Sequence, residues 1–286
     1  MQLKLEKTIK NYQNALQYWI ENPKEQTVHI CKQFKIDQGN FSKYMKSKGF
    51  NMRRKSLIND SIFEIIDTEE KAYWLGFLYA DGNVYIRHEK NRMVNRLELS
   101  LAEKDVEHLK KYIKFLNGDI SMLKYRSNVK AYRVSFGSKK VCEDLIKLGC
   151  IPNKSLMLKF PNENQVPKNL IKHFIRGYFD GDGCISHLKT NQNSFSISLL
   201  GTFEFLESIL SEYKLSKDLI RKDKRIKSNT FILNFKRLNG LIVLYDLYNN
   251  SNIFLNRKKE KFFNILYNCR PGKKLLGLQE GNIGEG

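Results

Sequence analysis

Two apolar segments, Tyr73 to Gly82 (YWLGFLYADG) and Phe174 to Gly183 (FIRGYFDGDG), constrain the fold more than anything else in the chain, because both end in Asp-Gly. Their small residues recur every four positions: Ala72, Gly76 and Ala80 in the first, Gly177 and Gly181 in the second. Residues four apart share one helix face, so each segment offers a stripe of minimal side chains on which another backbone can lie. Two such helices pack closely, and the acids that end them, Asp81 and Asp182, are brought together. Gly82 and Gly183 suit the left-handed residue that commonly stops a helix.

Two adjacent carboxylates repel and raise each other's pKa unless a cation neutralises them. The pattern therefore points to a divalent ion. With no Cys or His at ligand spacing nearby, the donors are oxygens, which suits Mg²⁺ or Mn²⁺ and phosphate chemistry. A single Asp-Gly would equally be an ordinary helix ending; the second copy favours the site.

With these two motifs the chain resembles the LAGLIDADG homing endonucleases, in the form where one polypeptide carries both motifs, over about residues 61–268. The resemblance implies an α+β fold of two pseudo-symmetric αββαββα halves forming a DNA-binding saddle, with the motif helices at their interface. It implies that Asp81 and Asp182 hold the catalytic metals, with the carbonyls of Ala80 and Gly181 as further ligands. Tyr79 departs from the pattern by replacing an acid that the second motif keeps as Asp180; in the family that acid is not a metal ligand. A basic residue from each half borders the metals, which assigns catalytic roles to Lys154 and Lys258, with Arg257 or Lys259 as alternatives to the latter. The implied reaction is double-strand cleavage of a long asymmetric target, leaving short 3′ overhangs, by a monomer. Relatives that assist intron splicing add intron RNA as a second partner class, and an RNA maturase or a non-cleaving regulator on the same fold are the rival functions.

Spacing supports a duplication independently. Periodicity predicts a strand through Leu97, Leu99 and Leu101, a helix over 104–116, strands over 122–125 and 132–136, and a helix over 139–148. The second copy repeats the order over 195–199, 202–213, 231–235 and 238–248. Val134 lies 53 residues after Asp81, and Leu233 lies 51 after Asp182. Asp67 to Glu70 offers a capping signal for the first motif helix, and Pro167 suits the first turn of the second. The halves are drawn as 61–162 and 163–269, with residues 270–286 as a poorly ordered tail.

Composition agrees with a nucleic-acid partner: 50 Lys and Arg stand against 30 Asp and Glu, the electrostatic footprint of a phosphate-binding surface. If the strands line that surface, the DNA-binding candidates in the first half are Arg87, Arg92, Arg96, Lys124, Arg126, Lys130 and Arg133. In the second they are Ser186, Lys189, Gln192, Arg221, Lys222, Arg225, Lys227 and Asn234. The leading residues 1–55 read as a separate helix-turn-helix-like module. Its second helix carries Asn40, Ser42, Lys43 and Lys46, and Arg53 and Arg54 follow in a basic connector. Five cysteines without a CxxC pair predict free thiols. No apolar run long enough for a membrane span or signal peptide occurs, so an intracellular protein of the cytoplasm, nucleoid or an organelle matrix is expected.

Overall fold

A computed structural model describes residues 2–22, 25–50, 58–89, 92–152, 157–187, 195–223, 230–235 and 237–277. The chain divides into two units, Met1–Ile58 and Asn59–Gly286. In the first, α1 (Gln2–Glu21), α2 (Thr27–Gln33) and α3 (Gln38–Ser47) enclose a core of Ala15, Ile30, Cys31, Phe41 and Met45, walled by Tyr12, Trp19, Tyr44 and other partly buried side chains. The expected helices are present, with α1 longer than its periodic stretch.

The second unit repeats one order twice. Its first half runs α4 (Glu69–Asp81), β1 (Gly82–Glu89), β2 (Arg92–Ala102), α5 (Val106–Phe115), β3 (Leu123–Arg126), β4 (Ala131–Gly137) and α6 (Lys139–Lys147). Its second runs α7 (Ile171–Asp182), β5 (Gly183–His187), β6 (Phe195–Gly201), α8 (Phe203–Glu212), β7 (Ile220–Lys222), β8 (Phe231–Phe235) and α9 (Arg237–Tyr248). Each half forms a four-stranded antiparallel sheet, in the orders β1-β2-β4-β3 and β5-β6-β8-β7. Their registers correspond residue by residue: Gly82, Leu99, Val134 and Leu123 face one another across the first sheet, as Gly183, Leu199, Leu233 and Ile220 do across the second. The duplication inferred from spacing is thus a structural one.

Strands β1, β5 and β7 carry no clear apolar alternation, so periodicity did not reveal them; pairing with a neighbour holds them in place. Thr68, rather than Asp67, caps α4, accepting from the Lys71 N–H at 3.3 Å, while Asp67 pairs with the Lys71 ammonium at 2.8 Å. Pro167 leads into a short 3₁₀ turn, Lys168–Leu170, ahead of α7.

The expected poorly ordered tail is corrected in part. Beyond α10 (Asn256–Asn268) the chain forms α11 (Arg270–Leu275), where Gly272 is buried and a β-carbon on it would lie 2.2 Å from the Leu266 carbonyl oxygen. That close seat against α10 holds the segment, a contact invisible to composition. Residues 278–286 lie outside the described set. Among the described residues no helix is long and apolar enough to cross a membrane.

Candidate active site and nucleic-acid interface

Helices α4 and α7 lie backbone to backbone. A β-carbon on Gly76 would sit 2.0 Å from the Phe174 carbonyl oxygen, and one on Gly177 would sit 1.9 Å from that of Tyr73. Small-residue stripes do what their spacing predicts. Asp81 and Asp182 are the last residues of the two helices. Their surroundings overlap: a β-carbon on Gly181 would lie 2.2 Å from the Ala80 β-carbon and 3.3 Å from Asp81 Oδ2. Burial first, and then both Asp182 and Asp81, hold the Tyr178 hydroxyl well above its ordinary pKa, so one side chain feels both acids.

The glycines after the acids are needed for a different reason from the one expected. Gly82 and Gly183 are extended, with φ of −72° and −78°, not left-handed. A β-carbon would instead strike the carbonyl oxygens of Leu78 at 2.6 Å and Phe179 at 2.5 Å. Space decides the residue here, not backbone conformation.

Lys258 enters this centre from the first turn of α10. It is 3% exposed, and its ammonium donates to the carbonyls of Phe179 at 2.6 Å, Asp180 at 2.7 Å and Gly181 at 3.2 Å. A cation there offsets the negative end of the helix dipole and satisfies carbonyls the helix leaves open. Burial pushes its pKa down to about 8, while Asp180, Asp81 and Asp182 act in the opposite sense. The alternatives are engaged elsewhere: Arg257 donates to Asp105 at 2.7 Å, and Lys259 lies over the Phe254 ring at 3.6 Å. Lys154 lies outside the described residues.

Asp180 is a structural acid. Only 1% exposed, it accepts from Tyr73 Oη at 2.7 Å, Tyr248 Oη at 2.5 Å and the Leu255 N–H at 2.7 Å. Burial raises its pKa against the pull of Lys258 and these donors. In the first half, the Tyr79 hydroxyl donates instead to the Leu148 carbonyl, so the departure from the motif has its own partner. A second cross-link was not foreseen: buried Arg176 donates to Glu69 Oε1 at 2.7 Å and to the Ile253 and Leu247 carbonyls at 2.9 and 3.0 Å. A lone arginine inside an apolar helix was the one available signal, since it cannot be buried without a partner.

Among the described residues no three His, Cys, Asp or Glu are grouped so that they could together hold a metal ion. The donors at the helix ends are two carboxylates and backbone carbonyls. Residues 74–148 match the LAGLIDADG endonuclease family model, and residues 169–256 match the LAGLIDADG-like domain model, together more than half of the chain. The chain belongs to the LAGLIDADG endonuclease family. A relative in Methanocaldococcus jannaschii, the uncharacterized protein MJ0398, is 23% identical over 206 residues, spanning 71% of this chain and 68% of its own. Two solved structures are also similar. The meganuclease I-SmaMI bound to uncleaveable DNA shares 12% identity over 69% of this chain and 87% of its own, with a TM-score of 0.48. The LAGLIDADG meganuclease I-AabMI bound to uncleaved DNA shares 13% over 73% and 97%, with a TM-score of 0.44.

In this LAGLIDADG chain the sheets sort the remaining candidates by face. Leu97, Leu99 and Leu101 are buried, so alternate β2 residues Arg92 and Arg96 point outward. Their register brings Arg87, Arg133, Lys124 and Arg126 to the same side. A depression of about 270 Å³ there is lined by Tyr85, Arg87, Arg96 and Arg133 among others, and Arg133 meets Glu98 at 3.3 Å. Lys130 occupies a left-handed turn position, φ 46°, just before β4. On the second sheet Ser186, Arg221 and Asn234 share the outward side with Ser196 and Ser198. Lys222 does not. It pairs with Phe231, in line with Gly201, on the side opposite those residues, because one residue along a strand reverses the face. Lys189, Gln192, Arg225, Lys227, Arg53 and Arg54 lie outside the described residues; on α3, Asn40, Lys43 and Lys46 are exposed and Ser42 is half-buried.

One buried group sets an acid limit on stability. His108, 2% exposed, bonds Tyr73 Oη through Nε2 at 2.9 Å, and burial pushes its pKa down to about 3. Its neutral form belongs to the fold, while the unfolded chain takes up a proton below pH about 6.5. Stability is therefore full above that pH and is lost as pH falls towards 3, by about 2 kcal/mol between pH 7 and 5 for one proton. Urea unfolding at both pH values should show this loss, and His108→Gln should remove that share of it. An unchanged pH dependence in the variant would refute the assignment.

Proposed function

We propose that the protein is a site-specific DNA endonuclease that hydrolyses both strands of a long, asymmetric duplex target with divalent metal ions. One observation carries the reading: Asp81 and Asp182 end two helices whose backbones touch, so two carboxylates meet in one electrostatic environment. Hard oxygen donors fit Mg²⁺ or Mn²⁺. Asp81 and Asp182 would hold the ions, with the Ala80 carbonyl beside them and the Gly181 carbonyl shared with Lys258. Such ions supply the charge that activates water and stabilises a leaving 3′ oxygen. Lys258 keeps a positive charge at the end of α7 and fixes the backbone that presents Asp182.

The outward sheet faces would read the duplex. Arginines favour guanine edges, and amides favour adenine. Because the outward residues Arg96 and Arg133 on one sheet correspond to Ser196 and Ile232 on the other, the two half-sites need not be palindromic. The test is incubation of the protein with a randomised plasmid library in Mg²⁺ or in EDTA. Discrete double-strand cuts in Mg²⁺ alone support the endonuclease. Selective binding without cutting would favour the regulator or the RNA maturase instead.

A further inference from the structure

In the Met1–Ile58 unit, α3 buries Phe41 and Met45 and leaves its opposite face exposed. We propose that this unit is a second duplex-DNA reader, with α3 entering a major groove outside the stretch covered by the two sheets. This rests on the endonuclease reading only in placing that groove beside a cut.

The turn between α2 and α3 is tightly specified. Lys35 is left-handed, φ 52°, and the Ile36 N–H closes back on the Cys31 carbonyl at 3.0 Å, a helix ending in which the residue after the left-handed one is apolar. Asp37 then caps α3, accepting from the Asn40 N–H at 2.8 Å. Buried Ile30 and Cys31 on α2 meet Phe41 and Met45 on α3 in one core, so the two helices are held in a fixed relation. This is the construction of a helix-turn-helix.

The face of α3 opposite Phe41 and Met45 presents Gly39, Asn40, Lys43, Lys46 and Ser47, all exposed. No acid occurs in α3. Asn can pair with an adenine edge, Lys with guanine or phosphate, and Gly39 lets the backbone come close. Residues 1–58 hold 12 Lys and Arg against 4 Asp and Glu, which complements a phosphate backbone. A face built to dock on protein commonly carries aromatic or aliphatic anchors at its centre. The exposed large apolar residues of the described part of this unit are Ile9, Ile20 and Val28, none of them on α3.

The test selects bound sequences from a random duplex library in Ca²⁺ with the full chain, its Asn40→Ala/Lys43→Ala/Lys46→Ala variant, and a Lys43→Gln/Lys46→Gln variant that keeps good helix formers on the same face. The expected result is a motif with a flanking block that both variants lose, footprint protection that shrinks over that block, and affinity reduced about tenfold or more. The motif under the sheets stays. Identical motifs and footprints from all three proteins would overturn the proposal, as would failure of the full chain to select any motif. Because selection needs no cutting, a cleavage failure in Mg²⁺ with the flanking block retained would count against the endonuclease reading alone.

Discussion

Asp81→Asn and Asp182→Asn should each reduce Mg²⁺-dependent cutting about a thousandfold, the scale of removing one preorganised electrostatic partner, while leaving target binding intact. Asn keeps the shape of Asp and removes its charge, so the change falls on the cation rather than on the fold. Asp81 is exposed and Asp182 half-buried, and substitutions at such positions usually change stability by less than about 0.5 kcal/mol. Both variants should therefore melt and bind like the natural protein. Binding and single-turnover cleavage on one target measure the two properties separately. Cutting within tenfold of the natural rate by either variant would show that the acids are not the metal site.

Gly177→Val should destabilise the second unit by about 3 kcal/mol or more, at or beyond the upper end of ordinary overpacking. The reason is what the new side chain meets. A β-carbon on Gly177 would lie 1.9 Å from the Tyr73 carbonyl oxygen and 2.8 Å from the Phe77 nitrogen, both backbone atoms that no rotamer can move. Only separation of α4 from α7 relieves the clash, and that also pulls Asp81 from Asp182. Against a total stability of about 5–15 kcal/mol, the melting temperature should fall by about 10 °C for a domain of this size. A shift of a degree or two would mean that the helices do not abut.

Much of the site was legible in the chain because its signals are local. Four-residue recurrence of Gly and Ala marks a close-packing face, and an acid fixed at the end of each such face marks what that packing brings together. Lys258 was legible only as a basic residue at a comparable offset in each half. That its ammonium seats on the α7 carbonyls could not be read, since those partners lie almost eighty residues away. Asp180 looked like a leftover motif acid, and its partners Tyr73, Tyr248 and Leu255 come from three separate segments.

The sequence by itself determined the duplication, the two motif helices, their facing stripes and the acids at their ends, because helix periodicity and side-chain size act over a few residues. Tertiary structure alone decided that Gly82 and Gly183 are extended, that Lys222 lies on the side away from Ser186 and Asn234, that α11 is held by Gly272 against Leu266, and that Arg176 joins Glu69 across the helix pair. Each depends on which distant backbone or charge arrives beside the residue. Burial then makes that partner obligatory, because an unpaired charge or polar group in the interior is too costly to leave unsatisfied.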